Sequence, residues 1–390
     1  MSTLPQPIDS WRDRWSGEPG GYVVLDLGQQ PAADRFPAPT DPEPDPRYPL
    51  RMVISTVSGL IQLEDDPTTP EEVLGIEPKA VVEQAEAAVE QAAQAGYLAA
   101  GGRVKEYPSP HGGSWTAQLT AHGLVPVQDG EAEVVVDNFG IMHDADQRAA
   151  FEERVSHLAP DGVLLLQYHD IAAIVRHGMW NALKHGHFGL YSTPVLVRML
   201  GELGLVALDA WEYPLYKGTV LIAFARKGSR WGDTQGAGVD ALIATENAEG
   251  ITDPDYVATL GEAVTRTVAD IDAYLSEAHA KGLTVAGYAA ASRTASLLCA
   301  ADITREKMAA IADGAPGKWG LTMPVNRIPI ISPADLVALR PDRVLLFVPD
   351  LLDELRRSYP EIEAGGGRWV LLEPEPVEVE PVAQPAESLA

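Results

Sequence analysis

The chain has 390 residues, of which 29 are lysine or arginine and 56 are aspartate or glutamate, so its formal net charge is −27. This charge disfavours sequence-independent binding to nucleic acid or to an anionic lipid surface, because both need a basic face. The one cysteine, Cys299, excludes an intrachain disulfide framework and a cysteine-rich metal site. No apolar run reaches the roughly 18 residues of a membrane span. The first residues lack a signal-peptide core, so we expect a soluble, cytoplasmic protein.

Residues 1–75 predict a small β lobe. Proline and aspartate are frequent there, and strand patterns stand out only at residues 22–27 and 51–63. Over residues 76–228, strand and helix patterns alternate, which is typical of an α/β sheet. The predicted strands of this part are residues 103–107, 132–137, 162–168, 206–213 and 218–226, and its predicted helices are residues 78–96, 114–123, 144–158 and 193–203.

The second half of the chain predicts a further α/β unit. Residues 229–248 are rich in glycine, alanine and aspartate and have little periodicity, so we expect a linker there. Residues 249–374 begin with a long amphipathic helix at 253–281 and continue with alternating strands and helices. Residues 375–390 are rich in proline and glutamate, which predicts a disordered acidic tail.

Five segments of the chain follow one another in an order that resembles a known family. They are VLDLGQQPAADRF (24–36), SGLIQL (58–63), HGHFGLYS (185–192), VAGYAAASR (285–293) and IPIISPADL (328–336). This order is similar to that of the S-adenosylmethionine (SAM)-dependent sugar C-methyltransferases, which act on nucleotide-linked 4-keto sugars in antibiotic pathways. The resemblance implies an α/β fold with a small N-terminal lobe, a class I methyltransferase (Rossmann-like) domain and a second, C-terminal Rossmann-like domain.

The N-terminal lobe departs from that family at its zinc site. The family carries a Cys-x-x-Cys-Gly pair directly before the segment that matches LIQL, and Ser55 and Ser58 stand at those positions here. The earlier cysteine pair falls near Asp13 and Ser16. Serine hydroxyls are poor zinc ligands, because structural zinc needs thiolate or imidazole. We therefore expect residues 1–75 to form a degenerate, metal-free lobe.

The methyl-donor site departs as well. The family's first-strand motif reads approximately Val-Leu-Glu-Ile-Gly-Ser-Asn-Asp-Gly, whereas residues 104–112 here read VKEYPSPHG. Pro108 stands at the glycine that lets the backbone approach the donor, and proline fixes φ and adds a ring at that point. His111 replaces the acidic residue, and Gly112 is retained. These changes predict weak or absent donor binding.

The connection after this turn is also short. Residues 113–132 provide about twenty residues, where one strand–helix–strand crossover needs roughly 30. We therefore expect a truncated methyltransferase domain with one helix and one short strand at 125–128 in this part, and no bound cofactor. If SAM is bound instead, the resemblance implies that Glu106, Gly112 and Asp129 hold it.

A histidine segment keeps its match to the family. Residues 184–192 (KHGHFGLYS) correspond to a segment in which a histidine removes the proton next to the sugar ketone. The resemblance places His187 at this base and shows Lys184 and Gly186 in place of a tyrosine and a glutamate. Imidazole suits the role, because its unperturbed pKa near ~6.5 lets it accept and return a proton at neutral pH. We predict His187, His185 and Lys184 as the catalytic residues.

A small-molecule metabolite is the expected partner. Residues that follow the carboxyl end of a parallel strand tend to line the ligand crevice, so we expect His169 and Asp170 to contact it. We also expect Tyr191 of the histidine segment to contact it. The resemblance adds Tyr288 and Arg293 of the C-terminal domain. A zinc site made by the two histidines of the segment with His169 or Asp170 is an alternative, but we expect no metal, because the base explains the same residues.

Three functions remain open from the sequence. The first is a repurposed enzyme of secondary metabolism that no longer methylates and uses histidine chemistry next to a carbonyl for cyclisation, isomerisation or epimerisation. The second is an active, divergent SAM-dependent C-methyltransferase acting on a keto sugar or a related metabolite. The third is a non-catalytic pseudoenzyme that binds a metabolite or a partner. Retention of His185 and His187 beside an eroded donor motif favours the first.

Overall fold

The computed structural model describes residues 4–32, 34–69, 74–75, 77–110, 112–372 and 375–381. The chain divides into two compact units, of which the first comprises residues 1–29 and 48–264 and the second comprises residues 30–47 and 265–390. The predicted lobe (1–75) and the predicted methyltransferase-like part (76–228) thus fall largely in one unit. No helix within the described ranges is long and apolar enough to cross a membrane.

A five-stranded sheet forms the N-terminal part of the first unit. Its strands, in spatial order, are Gln6–Arg12, Pro19–Pro31, Arg47–Ser55, Ile61–Leu63 and Gly189–Leu190. The last of these belongs to the histidine segment and pairs antiparallel with Ile61–Leu63. A strand from far along the chain therefore joins the histidine segment to the N-terminal sheet.

A six-stranded sheet forms the rest of the first unit. Its strands, in spatial order, are Leu205–Tyr213, Thr219–Arg226, Leu158–His169, Ala132–Asn138, Arg103–Pro108 and Val125–Pro126. The last four are mutually parallel, and Thr219–Arg226 pairs antiparallel with both of its neighbours, Leu158–His169 and Leu205–Tyr213. Between Arg103–Pro108 and Ala132–Asn138 the chain has one helix, Thr116–Ala121, and one two-residue strand. The short connection thus gives the truncated α/β sheet that its length predicts.

Helices cover this sheet, and one of them corrects a prediction. The predicted linker at residues 229–248 instead contains the helix Ala237–Glu249, which packs on Thr193–Glu202 and on the strand Leu205–Tyr213. Its apolar residues are consecutive at 241–244 and not spaced at a helical period, and its packing partners stabilise it. The other helices of the unit are Lys79–Gln94, Gln147–Ser156, Ile171–Arg176, Thr193–Glu202 and Pro254–Ala258, with 3₁₀ turns at Ile141–His143, Trp180–Ala182 and Leu215–Lys217.

The second unit is a Rossmann-like α/β sheet. Its strands, in spatial order, are Ile330–Ile331, Ile311–Ala312, Val285–Tyr288, Arg343–Leu346, Arg368–Leu372 and Pro376–Glu378. The first five are parallel and the last is antiparallel. Its helices are Ser292–Ala300, Pro333–Leu339, Leu352–Ser358 and Glu361–Ala364, with 3₁₀ turns at Pro316–Lys318 and Pro349–Leu351. The long helix Leu260–Ala280 begins in the first unit and ends in the second.

The start of the predicted tail is ordered, which corrects the expectation of disorder over residues 375–390. The strand Pro376–Glu378 pairs with Arg368–Leu372. The Glu378 carboxylate accepts hydrogen bonds from Arg343 Nε at 2.6 Å and from the Tyr274 hydroxyl at 3.1 Å. A composition rich in proline and glutamate does not reveal these distant donors. Residues 382–390 lie outside the described residues.

Candidate active site

The histidine segment is held by backbone contacts on two sides. Gly189 stands in register with Gln62 of the N-terminal sheet. On the other side of the segment, directly before His187, the backbone N–H of Gly186 donates to Asp66 Oδ2 at 2.6 Å, and Gly186 has a φ of +81°. This left-handed conformation suits glycine, which has no Cβ. Replacement of the family's glutamate by Gly186 thus accompanies a specific backbone turn.

His187 stands against a second histidine. Its ring meets the ring of His143 edge-on, with centroids 4.9 Å apart and planes at 82°. His143 ends a 3₁₀ turn shortly after the strand Ala132–Asn138, and the backbone N–H of Phe188 donates to Met142 O at 2.7 Å. The pair therefore lies beyond the carboxyl end of a parallel strand, which is where α/β sheets place their chemistry.

His143 is absent from the residues predicted from the sequence. Its position resembles that of His169, since each histidine follows the end of a parallel strand. Applying the strand-end argument to Ala132–Asn138 would therefore have indicated it. Two adjacent imidazoles can remove a proton at one position and return it at another, because each titrates near neutral pH when unperturbed.

His185 and Lys184 are more enclosed than His187. His185 is 3% exposed, and its Nε2 donates to the carbonyl oxygen of Pro49 at 3.0 Å. Its ring stands edge-on to that of Tyr48, with centroids 6.1 Å apart. Lys184 is buried and His187 is half-buried. His185 thus helps to hold the segment in place, and a catalytic role for Lys184 and His185 stays a prediction.

Three rings lie together at the same edge of the sheet. His169 ends the strand Leu158–His169, and its ring centroid is 5.9 Å from that of Tyr216, which lies 6.1 Å from that of Phe139. Phe139 and Tyr216 both have left-handed backbones, with φ of 57° and 54°. Bulky residues seldom adopt this conformation, and such strain is often associated with functional sites. The rings of Phe139, Tyr216 and His169 form an aromatic wall at the carboxyl edge of the sheet.

Asp170 and Tyr191, predicted as substrate contacts, make internal contacts instead. The Asp170 carboxylate caps the helix Ile171–Arg176, accepting hydrogen bonds from the backbone N–H groups of Ala172 and Ala173. Burial raises the pKa of Asp170 to about 6. Tyr191 is buried and its hydroxyl donates to Gln147. Asp170 follows a strand end, as predicted, but both side chains turn towards the protein interior, and their contact with a substrate stays a prediction.

Tyr288 and Arg293 lie in the second unit. Tyr288 ends the strand Val285–Tyr288 and is buried, with its ring 6.4 Å from that of Tyr359 and 6.3 Å from that of Trp369. Burial raises the pKa of its hydroxyl well above the usual value. Arg293 lies in the first turn of the helix Ser292–Ala300. Contact of either residue with a substrate stays a prediction.

The acidic residue of the donor motif is engaged in local structure. The Glu106 carboxylate accepts hydrogen bonds from the hydroxyls of Ser114 and Thr116 and from the backbone N–H of Trp115. These donors form the beginning of the helix Thr116–Ala121, so the carboxylate acts as its cap. Glu106 is therefore not placed to hold a methyl donor, whereas Asp129 lies exposed after the strand Val125–Pro126.

Side-chain amides occupy the point where the strand order of this sheet reverses. The strands Arg103–Pro108 and Ala132–Asn138 remain paired up to Pro108 and Asn138, and the Asn138 amide donates to Gly113 O. Asn138 also accepts from Gln167 Nε2 at 2.6 Å, and Gln167 accepts from Gln84 Nε2 at 2.5 Å. Such a reversal is the usual ligand crevice of an α/β sheet. These contacts do not fit a SAM molecule there.

Gly112 and Gly113 form a turn that packs closely against Asn138. Gly112 and Gly113 have φ of +99° and +90°, and a Cβ on Gly113 would lie 2.8 Å from Asn138 Nδ2. Gly112, predicted to approach the donor, thus belongs to a turn that packs against a side chain of the neighbouring strand. His111, noted in the sequence, lies outside the described residues.

The positions of the family's zinc ligands form a hydrogen-bonded cluster. The Asp13 carboxylate accepts from Ser16 Oγ at 2.8 Å, from Ser55 Oγ at 3.0 Å and from Gln62 Nε2 at 2.7 Å. Ser58 is buried beside Ser55, whose Oγ accepts from the Ser58 backbone N–H. We call these five residues the Asp13 cluster.

The electrostatics of the cluster favour a charged carboxylate. Asp13 is 2% exposed, and although burial by itself raises the pKa of this carboxyl, hydrogen bonds from the Trp15 backbone, serine hydroxyls and the Gln62 amide leave it below its usual value. Within the described ranges, no group of three or more His, Cys, Asp or Glu side chains could hold a metal ion. Hydrogen bonds to one carboxylate thus connect the positions that a metal would connect.

The chain is similar to known C-methyltransferases. Residues 215–374 match the family described as the C-methyltransferase C-terminal domain. The C-methyltransferase NovU of Streptomyces niveus is 25% identical over 257 residues, which cover 66% of this chain and 59% of that protein. The chain therefore aligns with about three fifths of the length of this curated relative.

Solved methyltransferase structures are similar to part of the chain. The 1,6-didemethyltoxoflavin-N1-methyltransferase of Burkholderia thailandensis has 15% identity and a TM-score of 0.29, with 43% of this chain and 96% of that chain covered. The magnesium protoporphyrin IX methyltransferase of Synechocystis has 11% identity and a TM-score of 0.28, with 37% and 83% covered.

Proposed function

We propose that the chain, which is similar to the C-methyltransferases, is a proton-transfer enzyme that acts on a carbon next to a carbonyl of a small metabolite. In this proposal His187 is the base, and no methyl donor takes part. The observation that carries it is the contrast between two places at one sheet edge. Amide side chains occupy the strand reversal beside Gly113, whereas the rings of His143 and His187 stand together with His187 half-buried.

The proposed step conserves atoms and electrons. An imidazole nitrogen of His187 takes the proton from the carbon next to the carbonyl, and the electron pair of that C–H bond moves to form an enolate. Return of the proton to the opposite face gives an epimer, and return to another carbon gives an isomer. Attack of the enolate carbon on a second electrophilic group of the same molecule closes a ring. The neighbouring His143 supplies or accepts the second proton.

The aromatic wall limits the kind of substrate. The half-buried rings of Tyr216 and Phe139 present apolar surface at the carboxyl edge of the sheet, beside the buried His169. Such surface favours a substrate with an apolar or flat portion, because ring contacts gain from excluding water. The loss of the glutamate at Gly186 also removes one polar group that the similar sugar enzymes have. We therefore propose a substrate less polar than a nucleotide sugar.

Methyl transfer is the second candidate. Similarity to the C-methyltransferases favours it, and so does Asp129, which lies exposed soon after the strand Val125–Pro126. An acidic residue at the end of the second strand is the group that holds the ribose hydroxyls of a bound nucleotide in this type of fold. In this candidate SAM supplies the methyl group, and His187 removes the proton that the methyl group replaces.

Calorimetric titration with SAM and with S-adenosylhomocysteine separates the two candidates. We expect no binding heat and no thermal shift with either compound. Micromolar binding would instead place methyl transfer first. The titration uses the full chain, and an Asp129→Asn variant serves as its control, because only a ribose-binding Asp129 would make any measured affinity depend on that substitution.

Deuterium exchange tests the base. The protein is incubated in D₂O with ketone probes, including a nucleotide-linked 4-keto sugar, and deuterium next to the carbonyl is followed by NMR. We expect His187→Ala to lower the exchange rate by about 10²–10⁴-fold, the usual contribution of a general base. His279→Ala, which alters an exposed histidine of the helix Leu260–Ala280, should leave the rate unchanged. Equal exchange by His187→Ala and the native protein would rule out this base.

A further inference from the structure

We propose that Arg14 is a positioning residue that holds His143 and His187 in their edge-on arrangement, and that the Asp13 cluster orients Arg14. The proposal rests on the proposed function for its catalytic consequence, while its geometric content stands by itself. Arg14 lies beside the positions of a lost metal site, far along the chain from either histidine. Nothing in its local sequence marks it as part of an active site.

One guanidinium group reaches the two segments that carry the histidines. Arg14 Nη1 donates to the carbonyl oxygen of Ala145 at 3.1 Å, two residues after His143. The same guanidinium lies over the ring of Phe188, directly after His187, with its Cζ 4.8 Å from the ring centroid. Arg14 therefore contacts the chain close to each histidine at once, and its loss would release both segments.

Other contacts anchor the guanidinium to the N-terminal sheet. Arg14 Nε and Nη2 both donate to Leu63 O at 3.3 Å, so the plane of the group is fixed at the end of the strand Ile61–Leu63. Burial lowers the pKa of Arg14, while the carboxylates of Asp65 and Asp66 act to raise it. An arginine remains protonated at neutral pH even so. All five N–H groups of the Arg14 guanidinium can therefore donate hydrogen bonds.

The Asp13 cluster fixes the backbone of Arg14. Its N–H donates to Gln62 Oε1 at 2.8 Å, and the Nε2 of the same amide donates to Asp13 at 2.7 Å. Gln62 is fully buried and stands in register with Gly189, two residues after His187. A continuous set of hydrogen bonds thus runs from the former metal position through one glutamine to the histidine segment.

Lysine could not replace this arginine. The group serves two carbonyl oxygens and one ring face simultaneously, which requires a planar, forked cation. A lysine ammonium is compact and strongly hydrated, so it would satisfy one of these contacts and leave the others. Arg14→Lys keeps the charge while removing the fork, which makes it the informative substitution.

Histidine NMR on the full chain tests the geometry without a substrate. With imidazole-labelled histidine, the native protein should show a cross-peak between the rings of His143 and His187, whose centroids are 4.9 Å apart. We expect Arg14→Lys to reduce this cross-peak at least twofold and to shift the resonances of both rings, while His279 stays unmoved. Arg12→Lys is the matched control, because exposed Arg12 donates to Gly17 O within the same segment. It should leave all three histidines unchanged.

A second variant covers the case in which Arg14→Lys does not fold. Phe188→Leu removes the ring under the guanidinium and keeps the hydrogen bonds, so it should move the same two resonances by a smaller amount. An unchanged cross-peak and unchanged shifts in a folded Arg14→Lys protein would overturn the proposal, as would a change in Phe188→Leu confined to His279.

Exchange kinetics distinguish failure of the proposal from failure of the proposed function. If both hold, Arg14→Lys lowers kcat about tenfold with little change in KM, because the substrate still binds beside a misplaced base. If the rings move in the NMR experiment while exchange keeps its native rate, Arg14 is confirmed as the positioning residue and His187 is rejected as the base. If exchange depends on His187 while the rings stay in place in Arg14→Lys, the base is confirmed and the positioning role is rejected.

Discussion

Two regions match the zinc and methyl-donor sites of the C-methyltransferases in sequence position, and side-chain hydrogen bonds connect each of them in a different way. In the Asp13 cluster, one buried carboxylate accepts hydrogen bonds from Ser16, Ser55 and Gln62. In the second region, the turn at residues 108–113 that matches the family's methyl-donor motif, Asn138 donates to Gly113 O. Hydrogen bonds between side-chain amides then continue through Gln167 to Gln84. Both regions now connect the chain through hydrogen bonds between protein groups.

The difference lies in how completely the polar groups are paired. Both oxygens of the Asp13 carboxylate accept hydrogen bonds. In the region of the turn at residues 108–113, Gln84 Oε1 and Trp115 Nε1 are buried without a hydrogen-bond partner among the described residues. A buried polar atom without a partner is unfavourable by about 1–3 kcal/mol. The Asp13 carboxylate is thus paired through both of its oxygens, whereas buried polar atoms near Gly113 lack a partner among the described residues.

The largest effect should come from restoring the metal ligands. A chain carrying Asp13→Cys, Ser16→Cys, Ser55→Cys and Ser58→Cys is expected to bind one zinc ion, because the side chains at 13, 16 and 55 already meet and Ser58 is buried beside Ser55. Apparent binding free energies of structural zinc in zinc-finger peptides are about 10–16 kcal/mol. Metal emission spectroscopy after dialysis measures the zinc content.

The native chain is the control for this experiment and should retain no zinc. One equivalent of zinc in the native protein would show that the Asp13 cluster does not replace a metal. Absence of zinc from the four-cysteine chain would mean that the match between these positions and the family's ligands is wrong.

Removing the carboxylate should have the next largest effect. Asp13→Ala leaves buried donors without an acceptor, so we expect the free energy of unfolding to fall by roughly 3 kcal/mol. Denaturant unfolding at neutral pH measures this change. Ser16→Ala, which removes one donor and keeps the carboxylate, should cost about 1 kcal/mol. Equal losses for the two variants would contradict a cluster centred on Asp13.

The same carboxylate predicts a dependence on acid. The pKa of Asp13 is lower in the folded protein than its ordinary value of 3.8. The unfolded chain therefore takes up the proton first, so the stabilisation is complete above pH 3.8 and is lost as the pH falls through the folded pKa. Asp13→Asn should show a smaller loss of stability in this acid range than the native protein. An identical acid profile would remove the charged carboxylate from the explanation.

Among the principal substitutions, the smallest effect should appear at the turn that contains Gly112 and Gly113. Gly113→Ala adds a Cβ that meets Asn138 Nδ2 at 2.8 Å and imposes a left-handed alanine, so we expect a loss of about 2–3 kcal/mol. Gly112→Ala is the matched control, because its Cβ would meet Glu77 Cβ at an ordinary 3.6 Å, leaving a φ penalty of about 1 kcal/mol. Thermal unfolding of both variants measures the difference. Equal losses would show that the contact with Asn138 contributes nothing.

Parts of the candidate site could be predicted because their signals are local. The family match of the histidine segment placed His187, and the strand-end argument placed His169 at the edge of the sheet. The same argument indicated Asp170, yet its carboxylate caps its own helix, and the hydroxyl of Tyr191 in the histidine segment donates to Gln147. Being next to a strand end determines where a residue lies, whereas the direction of its side chain depends on groups that the local sequence does not reveal.

The sequence by itself determined the alternation of strands and helices, the short connection between residues 113 and 132 and the loss of the family's cysteines, because each depends on neighbouring residues or on chain length. Only the tertiary structure decided that His143 meets His187, that Glu106 caps a helix and that Arg14 reaches Ala145 across 131 positions of the chain. Such contacts join residues through the packing of separate elements, and the order of residues along the chain carries no period or spacing that records them.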